Sequence, residues 1–434
     1  MTDNRYRRLP VGIQSFKVIR EENYLYVDKS DIVWNMVNLG DKYNYLSRPR
    51  RFGKSVLVDT LESYLEGRKD LFEGLKIMQM EKEWKQYPVI RLDMSRGGAN
   101  EETLRYYLNL RFKDYEQKYN ITPDPTAMLA DRFHAIIATA YKQTGLRVAV
   151  LIDEYDSPLQ HSWRTPEHEK CTGVYREVFA ILKADDEYEQ FIFITGITKF
   201  TQISLFSVLN NLSNISFMCE YATICGITEE EIKENFMPEL KQMSEANNWS
   251  IQETHDRLKA YYDGYHFSRR NMVDVYNPYS LVNALKSKEI INFWASSGAT
   301  SLLPKFVDNA ELRLSKFENC SVMRNTLELS DVSRGGAELF LYQSGYLTIK
   351  ESDEFGYILG FPNEEVKQAL YETVLPALAM RSENEIQSLQ AGLYRELGTG
   401  QIDEAMNSLK ALIADVPYSN KKLASMDMEE RYRL

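Results

Sequence analysis

The stretch Arg48-Pro-Arg-Arg-Phe-Gly-Lys-Ser55 organises the sequence on either side of it. A phosphate-cradling loop reads glycine, four residues, then Gly-Lys-Ser/Thr. Gly53, Lys54 and Ser55 meet that pattern, while Arg48 stands where the first glycine belongs. Before the loop, Tyr43-Asn-Tyr-Leu-Ser47 has the composition of a short strand. After it, Val56, Leu57, Leu61, Tyr64 and Leu65 recur at helical spacing. Strand, tight loop and helix form the setting in which a Gly-Lys-Ser tripeptide becomes a site instead of a solvated turn. Backbone N–H groups at the helix start would hold phosphates, aided by the helix dipole. On this Walker A-type reading Phe52, Gly53, Lys54, Ser55 and Val56 contact the nucleotide. Lys54 reaches the β/γ-phosphates and the Ser55 hydroxyl takes a position on Mg²⁺.

A second element strengthens the first. Arg147-Val-Ala-Val-Leu-Ile152 is a continuous apolar run ending in Asp153-Glu154. Unbroken apolar runs mark strands buried on both faces of a parallel sheet, and ligand chemistry in such sheets gathers at the strands' C-terminal ends. Asp153 is the expected Mg²⁺ partner of this Walker B-type segment, and Glu154 the expected base that orients an attacking water. Further expected strands are Val89–Leu92, Phe191–Thr195 and Ala222–Cys225. Helices are expected over Glu101–Tyr119, Thr126–Thr144 and Thr172–Lys183. This alternation predicts an α/β fold, a P-loop NTPase parallel sheet with helices on both faces. Thr195, with Thr198 as the second choice, could sense the γ-phosphate; a plain polar strand end accounts for it equally well.

Beyond about residue 230 the pattern changes. Helices are expected at Glu229–Asn247, Glu253–Tyr262, Pro278–Lys286 and Leu312–Phe317. The runs Leu339–Leu341, Tyr346–Ile349 and Tyr357–Leu359 look like strands, with a turn at Asp353-Glu-Phe-Gly356. Helices followed by a hairpin predict a mostly helical, winged-helix-like region. Glu364–Ala379 and Glu383–Val416 read as helical. The expected division is 1–230, P-loop domain; 231–362, lid; 363–434, helical segment. His266, within an aromatic-rich turn, is a weak candidate base.

Composition restricts the function classes. The chain has 434 residues, 44% hydrophobic and 26% charged, enough for two or three domains with sizeable cores. No apolar run is long enough to span a bilayer and no signal-peptide core opens the chain, which predicts a cytoplasmic protein without a membrane partner. Four cysteines without paired spacing predict reduced thiols, not zinc or disulfides. A net charge of −11 argues against non-specific nucleic-acid binding, leaving a local basic groove possible.

The motifs together carry a resemblance. Leu9-Pro-Val-Gly-Ile13, Tyr26-Val-Asp-Lys-Ser30, the Arg48–Ser55 loop and Leu151-Ile-Asp-Glu-Tyr-Asp-Ser-Pro158 belong to it. So do Tyr262-Asp-Gly-Tyr-His-Phe267, Tyr342-Gln-Ser-Gly-Tyr-Leu347 and Gly360-Phe-Pro-Asn-Glu-Glu-Val366. The chain resembles the AAA-ATPase-like proteins common in Bacteroidetes, whose ATPase module usually precedes a PD-(D/E)XK nuclease domain. The loop that begins with arginine is a trait of that family. The resemblance implies that Gly12, Ile13, Phe16 and Tyr26 to Lys29 cover the adenine. Among Arg48, Arg50 and Arg51, one is expected near the phosphates; a surface, subunit or nucleic-acid contact is the alternative.

The only near match to a nuclease site is Asp353 with Glu365-Val-Lys367, and the latter pair is expected at a solvated helix start. The sequence ends at Leu434, about where the family's nuclease would begin, so that domain is expected to be absent or truncated. The leading expectation is a Mg²⁺- and ATP-dependent ATPase acting as a molecular switch, coupled in its family to a nuclease or protein partner, with oligomers possible. The alternatives are a non-hydrolysing nucleotide-bound scaffold, or a DNA-binding module using Arg269-Arg270.

Overall fold

A computed structural model of the chain describes residues 8–124, 126–199, 211–270, 273–296, 303, 317–328, 336–379 and 382–414. Its centre is a five-stranded parallel sheet of β1 (Tyr43–Ser47), β2 (Val89–Asp93), β3 (Val148–Asp153), β4 (Glu189–Gly196) and β5 (Ser213–Asn214), in the order β2-β3-β4-β1-β5. The apolar run of β3 is buried at every position because strands flank it on both sides and helices cover both faces. Parallel neighbours need long crossovers, and helices such as Glu101–Lys118 and Leu129–Thr144 supply them. All C-terminal strand ends therefore fall on one edge. Asp93 of β2 stands opposite Asp153 of β3, and Ser47 of β1 opposite Gly196 of β4.

A second core lies beside the sheet. Helices Glu229–Asn235, Met237–Asn247, Ile251–Tyr262 and Pro278–Ser287 bury Ile232, Phe236, Leu240, Leu258 and Leu281 among themselves. The expected single helix 229–247 is broken at Phe236, before the Pro238 that opens the next one. Leu25 joins this bundle, with Val11 and Val27 packed against it, so the segment before β1 threads between bundle and sheet.

Next comes an antiparallel sheet of β6 (Cys320–Met323), β7 (Thr348–Ser352) and β8 (Gly356–Gly360), in the order β6-β8-β7. Its Leu359 and the helix Glu364–Ala379 share the core of the parallel sheet. The helices Glu383–Gly398 and Ile402–Ala414 follow, within the stretch expected to be helical.

Two expected strands are corrected. Ala222–Cys225 joins no ladder; the fifth strand is the polar pair Ser213–Asn214 instead. Leu339–Leu341 lies inside the helix Gly336–Ser344. Most of the helix expected over 312–317 lies outside the described residues.

Candidate nucleotide site

The loop after β1 is fixed by its own side chains. Phe52 is buried against Tyr265 and Phe267, with ring centroids 4.6 and 5.3 Å away. Gly53 has φ +86°, a left-handed turn that favours glycine, and it caps the helix Lys54–Leu65. Arg48 is 1% exposed. Its guanidinium donates to the carbonyls of Ser47 (2.8 Å), Ser216 (2.9 Å) and Tyr221 (2.9 Å), and lies 4.2 Å from the Phe267 ring centroid. It is a strut between the loop and the 216–221 segment, and its side chain does not line the cavity described below. That corrects the expectation of a phosphate contact for Arg48. Arg50 and Arg51 do line the cavity, with the Arg51 guanidinium 4.8 Å from the Tyr279 ring centroid.

The Lys54 amine donates to the carbonyls of Arg48 and Pro49, both at 3.0 Å. Burial lowers its pKa, and the carboxylates of Glu154, Asp153 and Asp156 oppose that shift. Ser55 hydrogen-bonds the Asp153 carboxylate, whose pKa burial raises. The Glu154 N–H donates to Asp153 Oδ1 at 3.0 Å, and Glu154 adopts φ +48°, an uncommon conformation for a non-glycine residue. Burial raises the Glu154 pKa too; Lys54 lowers it, and Asp153, Asp156 and Asp93 add to the rise. Three carboxylates thus act on one ammonium group, with Asp93 adding to the negative charge on two of them.

That charge excess, with a hydroxyl beside a carboxylate, fits a divalent cation shared with phosphate oxygens, as Mg²⁺ is usually bound. Among the described residues no three His, Cys, Asp or Glu side chains form a metal cage by themselves. Asp353, Glu365 and Lys367 accordingly do not assemble one. Asp353 caps the hairpin turn by accepting from the N–H groups of Phe355 and Gly356. Lys367 pairs with Glu318 at 2.8 Å. Glu365, expected to be solvated, is buried and accepts the N–H groups of Phe293 (2.8 Å) and Trp294 (2.9 Å), with its pKa pushed up to about 7 by burial.

Asp156 was given no role by the sequence, yet it shapes the neighbouring strand end. Its Oδ2 accepts from the N–H groups of Ile197 (3.0 Å) and Thr198 (2.6 Å), the Thr198 hydroxyl (2.7 Å) and Gln160 (2.5 Å). A Cβ at Gly196 would sit 2.4 Å from Asp156 Oδ1, so the approach requires glycine. Thr195 is also corrected: its buried hydroxyl donates to the Leu46 carbonyl at 2.8 Å and does not line the cavity. His266 is buried and hydrogen-bonded to Thr348 and Asp274, away from the cavity. Arg269 forms an ion pair with Glu328.

These groups open onto a cavity of about 540 Å³, a size suited to a nucleotide. Glu154, Lys54 and Ser55 line one end of it, the end where the sequence leads one to expect phosphates. Gly12, Ile13, Tyr26 and Lys29 wall the other end, together with Ile227, Phe236, Tyr279 and Asn283 from the bundle side. Phe16 lies behind this wall, its ring 5.0 Å from that of Tyr26 and 4.9 Å from that of Phe72; it supports the lining without being part of it. Lys29 bonds both oxygens of Glu231, at 2.6 and 2.7 Å, and Glu231 also completes a capping box with Thr228. Its partner lies 202 positions away in sequence, with no local signal to announce it.

A family model described as AAA-ATPase-like, predicted AAA-ATPase, matches residues 10–206. The chain is 32% identical to the "uncharacterized protein in vnfD 5'region" of Azotobacter chroococcum mcd 1 over 397 residues, which cover 88% of this chain and 74% of that protein. It is also similar, at 11% identity, to the crystal structure of Cdc6p from Pyrobaculum aerophilum, over 87% of this chain and 97% of that one. The TM-score there is 0.25, too low to carry an argument.

Proposed function

The chain belongs to the AAA-ATPase-like family, and from that premise we propose that it binds MgATP in the 540 Å³ cavity and hydrolyses it as a molecular switch. The observation that supports this most is the convergence of Lys54, Ser55, Asp153 and Glu154 on one end of a nucleotide-sized cavity. Lys54 leaves the Arg48 and Pro49 carbonyls to meet the β- and γ-phosphates. Gly53 and the following N–H groups hold phosphate oxygens at the helix start. Arg50, not Arg48, is the arginine we assign to the phosphates, because it lines the cavity while Arg51 lies against Tyr279. Ser55 and Asp153 would hold Mg²⁺, which when bound neutralises charge on the phosphate oxygens.

Glu154 orients the water and takes its proton as the oxygen joins the γ-phosphorus. The bond from that phosphorus to the bridging oxygen breaks, and ADP and phosphate leave. Burial already holds the Glu154 carboxyl above its ordinary pKa, which makes its carboxylate a stronger proton acceptor. Adenine lies between the 12–29 segment and the helix Pro278–Ser287. Closure of the helical bundle 229–287 over the nucleotide would then report the ATP state to a nuclease domain or protein partner. Free cysteines at 171, 219, 225 and 320 are compatible with a cytoplasmic setting.

Phosphate release from MgATP tests the reading. The parent should turn over, and Glu154→Gln should bind ATP with turnover about a hundredfold lower or less. A parent that binds ATP without ever releasing phosphate would favour the nucleotide-held scaffold.

A further inference from the structure

The polar groups that face the phosphate end do not come from β4, the strand next to β3. Thr195 gives its hydroxyl to Leu46, and Thr198 gives its N–H and hydroxyl to Asp156; neither lines the cavity. The helix Ser157–Ser162 supplies them instead. Glu154 at the end of β3, then Ser157 and His161, follow one another at intervals of three and four and all line the cavity. Ser95 faces the same end, its N–H and hydroxyl held by Asp93 at 3.1 and 2.7 Å.

Within that row, Ser157 Oγ stands 3.4 Å from His161 Nδ1. A serine hydroxyl that donates to Nδ1 selects the neutral tautomer with its hydrogen on Nε2. Nε2 is then the ring nitrogen left for a ligand. A γ-phosphate arriving here brings negative charge to an end already crowded with carboxylates, so donors beyond Lys54 are needed. Ser95 has its hydroxyl committed to Asp93, so besides Lys54 and Arg50 the side-chain donor this region offers is His161.

We propose that His161 distinguishes a nucleoside triphosphate from a diphosphate, its Nε2–H donating to a γ-phosphate oxygen, with Ser157 as the positioning residue that fixes the ring. This rests on the MgATP reading above. The role would fall to a helix after β3, because the hydroxyls at the end of β4 are spent on holding the sheet edge together.

Equilibrium titration of ATP and ADP, each with Mg²⁺, into the full chain tests the proposal without requiring turnover. His161→Ala should weaken ATP by about tenfold while leaving ADP unchanged. His161→Gln, which keeps a donor near the Nε2 position, should recover most of the loss. Ser157→Ala should reproduce part of it. An unchanged ATP-to-ADP affinity ratio in His161→Ala would overturn the inference, as would an equal loss for both nucleotides or a glutamine variant no better than alanine. A parent that binds both nucleotides isolates such a failure to His161, whereas a parent that binds neither defeats the proposed function itself.

Discussion

The two ends of the cavity are built in opposite ways. The phosphate end comes from segments that follow three strands of one sheet: the 48–55 loop after β1, Ser95 after β2, and 153–161 after β3. Its polar groups are held to one another: Ser55 to Asp153, the Glu154 N–H to Asp153, and the Lys54 amine to the loop's own carbonyls. The base end joins the 10–29 segment to a helical bundle with a separate core, and a half-buried ion pair between Lys29 and Glu231 ties the two. One end is over-determined by a single sheet; the other depends on two bodies staying together. A nucleotide that touches both ends would link them, which is what a switch requires.

The comparison breaks most readily at Arg48. Arg48→Ala removes the donor to three buried carbonyls and leaves a void between the loop and Phe267. It should cost about 3 kcal/mol of unfolding free energy, read from urea midpoints. A change below about 0.5 kcal/mol would mean the phosphate end is not held as described.

At the base end, Lys29→Met leaves the loop untouched but frees Glu231 from its partner. ATP and ADP affinities should fall together by about tenfold, unlike the selective loss expected at His161. Selective loss of ATP alone would place Lys29 at the wrong end.

A third variant sharpens the comparison from outside the site. Glu189 starts β4, roughly 20 Å along the strand from the cavity edge. Burial pushes its carboxyl up to about 8 from an ordinary 4.5, against the hydrogen bond from Tyr43. Because the folded value is the higher one, the stability it contributes is full below pH 4.5 and is lost as pH rises toward 8. Glu189→Gln should therefore flatten part of the fall in melting temperature between pH 5 and pH 8 while leaving nucleotide affinity unchanged. A parent whose melting temperature rises over that range would contradict the assignment.

What the sequence revealed follows the same division. The loop and the β3 carboxylates were legible because strand, turn and helix chemistry lie within a dozen residues of each other. Ala222–Cys225 misled because burial against the cavity gives an apolar run the look of a strand, although no neighbour pairs with it. Ser213–Asn214 carries no apolar signal and is a strand only by its ladder to β1. Leu339–Leu341 lies in a helix buried on all sides, where period two and period 3.6 cannot be told apart. Thr195 has the right chemistry at the right strand end, and only its hydrogen bond to Leu46 reveals that it is committed elsewhere. Asp156 holds N–H groups at the end of β4 and Glu231 pairs with Lys29 far earlier in the chain; the local Thr228-x-x-Glu231 cap gave no sign of that pairing.

Equilibrium binding of MgATP to the parent and to Lys54→Ala decides whether the cavity is a nucleotide site. Saturable binding by the parent is expected, with a loss of about a hundredfold or more in the variant, which lacks the ammonium group. A parent that does not bind, or a variant that binds equally well, would contradict it.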